Sequence, residues 1–178
     1  MKVTRTLSIA ASLAAVLAMP LAARADDATV KEAEHARTEI RTADAGQQKF
    51  LDGAAGYAVF PNVAKGGLVV GGAGGSGIVF EKGKAVGKTK LSQVTVGAQI
   101  GGQAYYEIIY FETAEALAAF KKGEWTMAAQ VSAVALKSGA SANASYKDGV
   151  AVFTLTKGGV MAEASVGGQK FSYEAISG

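Results

Sequence analysis

Cysteine is absent from this 178-residue chain, histidine and tryptophan occur once each, and proline occurs twice. Without cysteine there is no disulfide, no thiol nucleophile and no thiol to carry a lipid anchor. With His35 as the single imidazole, no transition-metal ligand set can be assembled. A Ser–His pair would have to be built on a residue set among the charges of an N-terminal helix. The acids are scattered, with no pair at a spacing suited to acid–base work. These absences point away from an enzyme and from any metal or cofactor.

An excess of positive charge is also missing once the N-terminus is set apart. Met1–Val3 and Arg5 form a short basic start, Leu7–Ala18 an apolar run, and Met19-Pro20 ends it. Ala23-Arg24-Ala25 supplies small residues at the two positions that a signal peptidase reads, so residues 1–25 read as a secretory signal cleaved after Ala25. The apolar run is too short for a comfortable membrane span. Lys2, Arg5 and Arg24 lie in that segment and no acid does, so of 18 basic and 15 acidic residues the remainder is balanced at 15 of each. Net charge therefore gives no reason to expect nucleic acid as a partner. The expected product is an exported, periplasmic protein, free or membrane-associated, with residues 26–178 forming a single domain.

What the chain has in abundance is glycine, 23 residues in all. Between Gly66 and Gly77 seven of twelve positions are glycine. Val63, Val69, Val70, Ile78 and Val79 interrupt or flank them, which favours a packed, pleated surface over a flexible linker. Glycine in such a pattern marks bends, bulges or close backbone approach. The stretch predicts strands bent tightly around a small core, with Pro61-Asn62 as a turn between Tyr57–Phe60 and the glycine ladder. Gly72–Gly77 matches G-x-G-x-x-G, but strand-like Ile78-Val79-Phe80 follows where a dinucleotide site needs a helix.

Before the glycines, Thr29-Val30-Lys31-Glu32 has the capping-box pattern, and a helix to about Ala43 is expected with a thin apolar face of Val30, Ala33, Ala36 and Ile40. Such a helix would pack at a sheet edge or, less in keeping with its mixed charge, lie on a membrane or a partner. Gln47–Asp52 predicts a second helical turn stopped by Gly53, completing a helical lead over 28–53 before a β-rich core over 55–176. Val94, Val96, Ala98 and Ile100 alternate with polar or glycine positions as in a half-buried strand. Tyr105–Phe111 reads as a strand covered on both sides. Thr113 caps a short helix, Ala114–Lys122, and Trp125–Leu136 leans to strand. Lys147-Asp148-Gly149 and Lys157-Gly158-Gly159 are turns before strands over 150–156 and 160–166, and a last strand runs from Lys170 to Glu174. Helices followed by strands with one helical insert give an α+β fold: a strongly curved, mainly antiparallel sheet or small barrel.

Two groups of side chains could carry a function. Lys82, Lys84, Lys88 and Lys90 crowd into nine residues with Glu81 alone opposing them. Lysines guard exposed strand edges; the same crowding, with Lys65 nearby, would suit a lipid phosphate. Tyr105, Tyr106, Tyr110 and Phe111 form the densest aromatic group, suited to a core or, for the tyrosines, to a lipid interface.

The order of motifs resembles the SYLF domain family. It runs from Gly56–Val59-Phe60-Pro61 through Lys65-Gly66-Gly67, Gly71–Gly77 and Gly97-Ala98-Gln99-Ile100-Gly101-Gly102-Gln103 to Thr156-Lys157-Gly158-Gly159-Val160, covering about residues 30–176. The resemblance implies phospholipid binding, with phosphoinositides in eukaryotic members and actin in some fungal ones. An exported bacterial protein would not meet actin. Where eukaryotic members carry a basic amphipathic segment, this chain has its signal and a helix of mixed charge. The expected function is thus a phospholipid-binding module of the cell envelope. The alternatives are a small outer-membrane β-barrel, or an envelope stress protein that binds another protein.

Overall fold

A computed structural model describes residues 21–67, 70–96, 102–123, 125–158 and 164–176. Two helices come first, α1 (Leu21–Ala43) and α2 (Gln47–Gly53). They are followed by β1 (Gly56–Gly67), β2 (Val70–Glu81), β3 (Lys84–Val96) and β4 (Gln103–Phe111). Helix α3 (Ala114–Phe120) leads to β5 (Trp125–Thr126), β6 (Ser132–Ala135), β7 (Val150–Thr156), β8 (Ala164–Ser165) and β9 (Lys170–Ala175). The strands form one curled sheet in the order β5-β9-β3-β2-β1-β4-β7-β6-β8. Every pairing is antiparallel except β6 with β7. The expected α+β architecture is the one observed.

Each face of the sheet has its own core. On one face α1 buries Ala33, Ala36 and Ile40, spaced to share one helical stripe, against Tyr57, Val59, Ile78, Ile108, Tyr110 and Phe153. On the other, α3 sets Leu117 and Phe120 among Ala58, Phe60, Ile109, Phe111, Val152 and Phe171. Strand β4 supplies both cores, as expected of a strand covered from two sides. The α3 helix follows its local code: Thr113 Oγ1 accepts from the Ala116 N–H at 3.2 Å, and Gly123 lies beyond its end at φ 94°.

Several expectations are corrected. Helix α1 begins at Leu21, so Thr29 lies within it. It rests on β1, β2, β4 and β7 in the middle of the sheet and not at its edge, because alanines let the helix approach closely and so a thin apolar stripe suffices. Pro61-Asn62 is no turn: β1 runs through it, with a register shift between Phe60 and Val63 that marks a bulge, a place where proline's missing N–H is tolerated. Val94 is 80% exposed while Gln93 is buried, the reverse of the phase that its apolar alternation indicates. Ala98, Ile100 and residues 160–163 of the expected 160–166 strand lie outside the described residues, and Ala164–Ser165 is a short strand. Trp125–Leu136 divides into β5 and β6, separated by a turn.

The phase of β3 is dictated by the glycines of β2. Alternate β2 residues Ala73 and Val79 pack into the α3-face core, and Gly75 and Gly77 lie between them. A Cβ on Gly77 would stand 2.6 Å from the Val59 carbonyl oxygen and 2.7 Å from the Phe60 ring; one on Gly75 would stand 2.6 Å from the Asn62 carbonyl oxygen. Strand β1 can therefore fold over this face only where β2 has no side chains. On the opposite face a Cβ at Gly66 would meet nothing within 4 Å. Gly77→Ala is expected to lower stability by about 1–3 kcal/mol through overpacking, and Gly66→Ala to change it by no more than about 0.5 kcal/mol. Urea unfolding of the two variants checks this, and equal losses would contradict the assignment.

Candidate functional site

The α1 helix packs on β1, β2, β4 and β7, and β3 and β9 extend the sheet beyond β2. Register places Ser76 opposite Lys90, Ile78 opposite Lys88, and across the next pairing Lys88 opposite Glu174 and Lys90 opposite Ser172. Where α1 meets these strands there is a groove of about 550 Å³ lined by Thr29, Ser76, Lys88, Thr89, Lys90, Ser172, Tyr173 and Glu174, among others. Two lysines and four Ser/Thr residues, Thr29, Ser76, Thr89 and Ser172, line one cleft, with Glu174 at its side. Ammonium and hydroxyl donors together suit an anion with several oxygen acceptors.

The five lysines singled out from the sequence do not form one cluster. Lys88 and Lys90 line the groove. Lys82 forms the β2–β3 turn at φ 51° with Gly83 at 77°, and Lys84 opens β3 opposite Glu81. The hairpin is therefore closed by a two-residue turn. A bulge between Val79 and Phe80 separates this pair from Lys88 and Lys90. Glu81 is engaged by Lys121 at the end of α3, Nζ to Oε2 3.0 Å. Lys65 pairs with Ala73 and Gln103 and shares the α3 face with them, across the sheet from the groove.

The tyrosines separate too. Tyr105 and Tyr110 are buried in opposite cores, and burial pushes both phenols upward, helped for Tyr105 by the neighbouring Glu107 and for Tyr110 by Tyr57 and Tyr146. They are packing side chains and present no surface to a lipid. Tyr106 is half-buried under the Lys157 ammonium, 4.6 Å from its ring centre, beside Glu32, His35, Pro61 and Asn62. His35 faces Glu39 at 3.7 Å on exposed helix surface.

Residues 92–175 match the Ysc84 family model, described as "Las17-binding protein actin regulator". Among curated proteins, Beta cell expansion factor A of Aeromonas veronii is 31% identical over 124 residues, which is 68% of this chain and 46% of that protein. The chain thus spans less than half the length of that relative.

The matched region holds a feature that the sequence reading missed. Glu107 is fully buried on the α3 face, with Phe60 and Thr154 as its cross-strand neighbours. Its Oε2 accepts from Gln169 Nε2 at 3.0 Å, while Oε1 has no partner among the described residues. Gln93 Nε2 donates to the Gly167 carbonyl at 3.1 Å, so the 166–169 loop is held to the sheet at two points. The signal was available: one acid within an otherwise apolar strand expected to be covered on both sides.

Burial lifts the Glu107 carboxyl to about 7, against the opposing effect of the Gln169 hydrogen bond. Between its ordinary value of 4.5 and about 7 the folded protein holds a proton that the unfolded chain releases. Stability therefore falls as pH rises through that window and levels off above it, by roughly 3 kcal/mol in total. Glu107→Gln should remove this slope in urea unfolding between about pH 5 and about pH 8. An unchanged slope would show that the carboxyl is not the titrating group.

Proposed function

We propose that this chain, which belongs to the SYLF family, is a non-enzymatic module of the bacterial cell envelope that binds the anionic head groups of phospholipids in the α1-face groove. The observation that carries the reading is the meeting of Lys88 and Lys90 with Thr29, Ser76 and Ser172 in one accessible cleft. Phosphate oxygens accept from ammonium and hydroxyl donors alike, and each basic group close to an anionic surface contributes about 1 kcal/mol. The N-terminal basic, apolar and small-residue pattern supports export to the periplasm. No helix among the described residues is long and apolar enough to cross a membrane.

An integral barrel would need a lipid-facing apolar band around its outside. Here α1 and α2 occupy much of one face and α3 with the 127–131 and 166–169 segments much of the other, an arrangement that suits binding at a membrane surface better. The family description names actin regulation, whereas the groove's small set of donors fits a head group. A partner protein of the envelope is the reading to adopt if lipids fail.

Sedimentation with vesicles of phosphatidylglycerol and phosphatidylethanolamine tests the proposal. Binding should weaken with salt, and Lys88→Gln/Lys90→Gln should weaken it by about 30-fold, the equivalent of about 2 kcal/mol. Lys82→Gln/Lys84→Gln should have a much smaller effect. Equal losses in the two pairs would move the site away from the groove, and no sedimentation of the parent protein would end the lipid reading.

A further inference from the structure

Val70 and Val94 are the large apolar side chains left exposed among the described residues, at 64% and 80%. They stand together. Val94 lies opposite Gly72 on β2 and Val70 opposite Val96 on β3, so the two are diagonal neighbours on the α1 face. Around them the same face carries Ala64, Gly66 and Gly74, so the valines rise from a nearly smooth floor. Along β3 this face reads Lys88, Lys90, Ser92, Val94, and β9 adds Lys170 opposite Ser92. One continuous strip of sheet thus passes from basic through hydroxyl to apolar.

We propose that this strip is the membrane-docking surface, with Val70 and Val94 entering the acyl region of an anionic bilayer while Lys90 and Lys170 remain at its phosphates. The proposal rests on the lipid reading above and adds the orientation and the apolar contact. The spacing fits. Four residues of strand separate the Cα atoms of Lys90 and Val94 by about 13 Å, more than the roughly 5–8 Å of head-group layer on each side of a bilayer. Lysine stems can extend along the sheet to keep their charges at the phosphates. The order of charge along the strip complements a leaflet read from surface to interior. A second copy of the chain is a poorer occupant: two valines offer less than about 200 Å² of apolar surface, well short of the roughly 800 Å² per partner of a stable interface.

The lack of cysteine makes the test direct, because Val94→Cys creates a single labelling site. An environment-sensitive fluorophore placed there is compared with one at Ala118→Cys, on the exposed side of α3. With phosphatidylglycerol–phosphatidylethanolamine vesicles, the probe at position 94 should shift to the blue and become shielded from an aqueous quencher, while the probe at 118 stays unchanged. Val70→Ser/Val94→Ser should reduce vesicle partitioning by about tenfold or more and leave the salt dependence in place. If the parent protein sediments with vesicles and the position-94 probe remains fully quenchable, the docking surface is wrong and the head-group reading survives. If the parent protein ignores every vesicle, both fail. A blue shift without vesicles that grows with protein concentration identifies self-association and overturns the proposal.

Discussion

The close approach of β1 to the α3 face of β2 is the constraint on which the rest depends. Gly75 and Gly77 leave room for the Val59 and Asn62 carbonyls and the Phe60 ring, none of which a side chain at either position would permit. Once β1 is seated there, the phase of every strand hydrogen-bonded outward from β2 is fixed, since one step of register would turn each side chain to the opposite face. Leu91 and Gln93 must point to the α3 face, and Lys88, Lys90 and Val94 must point away from it. The composition of the candidate lipid surface is thus a consequence of where β2 lacks side chains.

The two faces then diverge in character. The α3 face closes over a polar interior in which Glu107, Gln169, Gln93 and Thr154 are all buried. That costs stability at neutral pH and ties the 166–169 loop to the sheet through two amide side chains. The α1 face is closed only where the helix reaches. Asp44, just past α1, secures this layer: its carboxylate accepts from the Gly46 N–H at 3.0 Å and the Ser141 N–H at 2.7 Å. Burial works to raise that carboxyl, but the hydrogen bonds from Ser141, Gly46 and Gly139 outweigh it and hold it below the usual carboxylate range. The helix is thereby anchored over β1, β2, β4 and β7, and the groove lies where it meets β3 and β9.

Much of this architecture was legible where local chemistry decides. Thr113, the Lys147-Asp148-Gly149 turn, the apolar stripe of α1 and the two-sided β4 all follow from residues within a few positions of one another. What was not legible depends on contacts distant in sequence. Val94 alternates with polar and glycine neighbours as an inward residue would, yet its phase is set by glycines about twenty positions earlier. Pro61-Asn62 has the composition of a turn and becomes a bulge because β2 and β4 both pair with β1 on either side of it. The lysines are close in sequence, but the bulge after Val79 divides them, and Lys65 stands on the other face. Glu107 could have been noticed; an acid in a doubly covered strand has to be buried.

Hydrogen–deuterium exchange of the protein with and without anionic vesicles tests the central claim most directly, because it reports which face meets the lipid without altering a residue. Added protection should fall on residues 70–76 of β2, residues 88–94 of β3 and the α1 segment around Thr29, with α3 and β5 unchanged. Protection confined to α3, β5 and the 166–169 loop would place the contact on the opposite face and contradict the account.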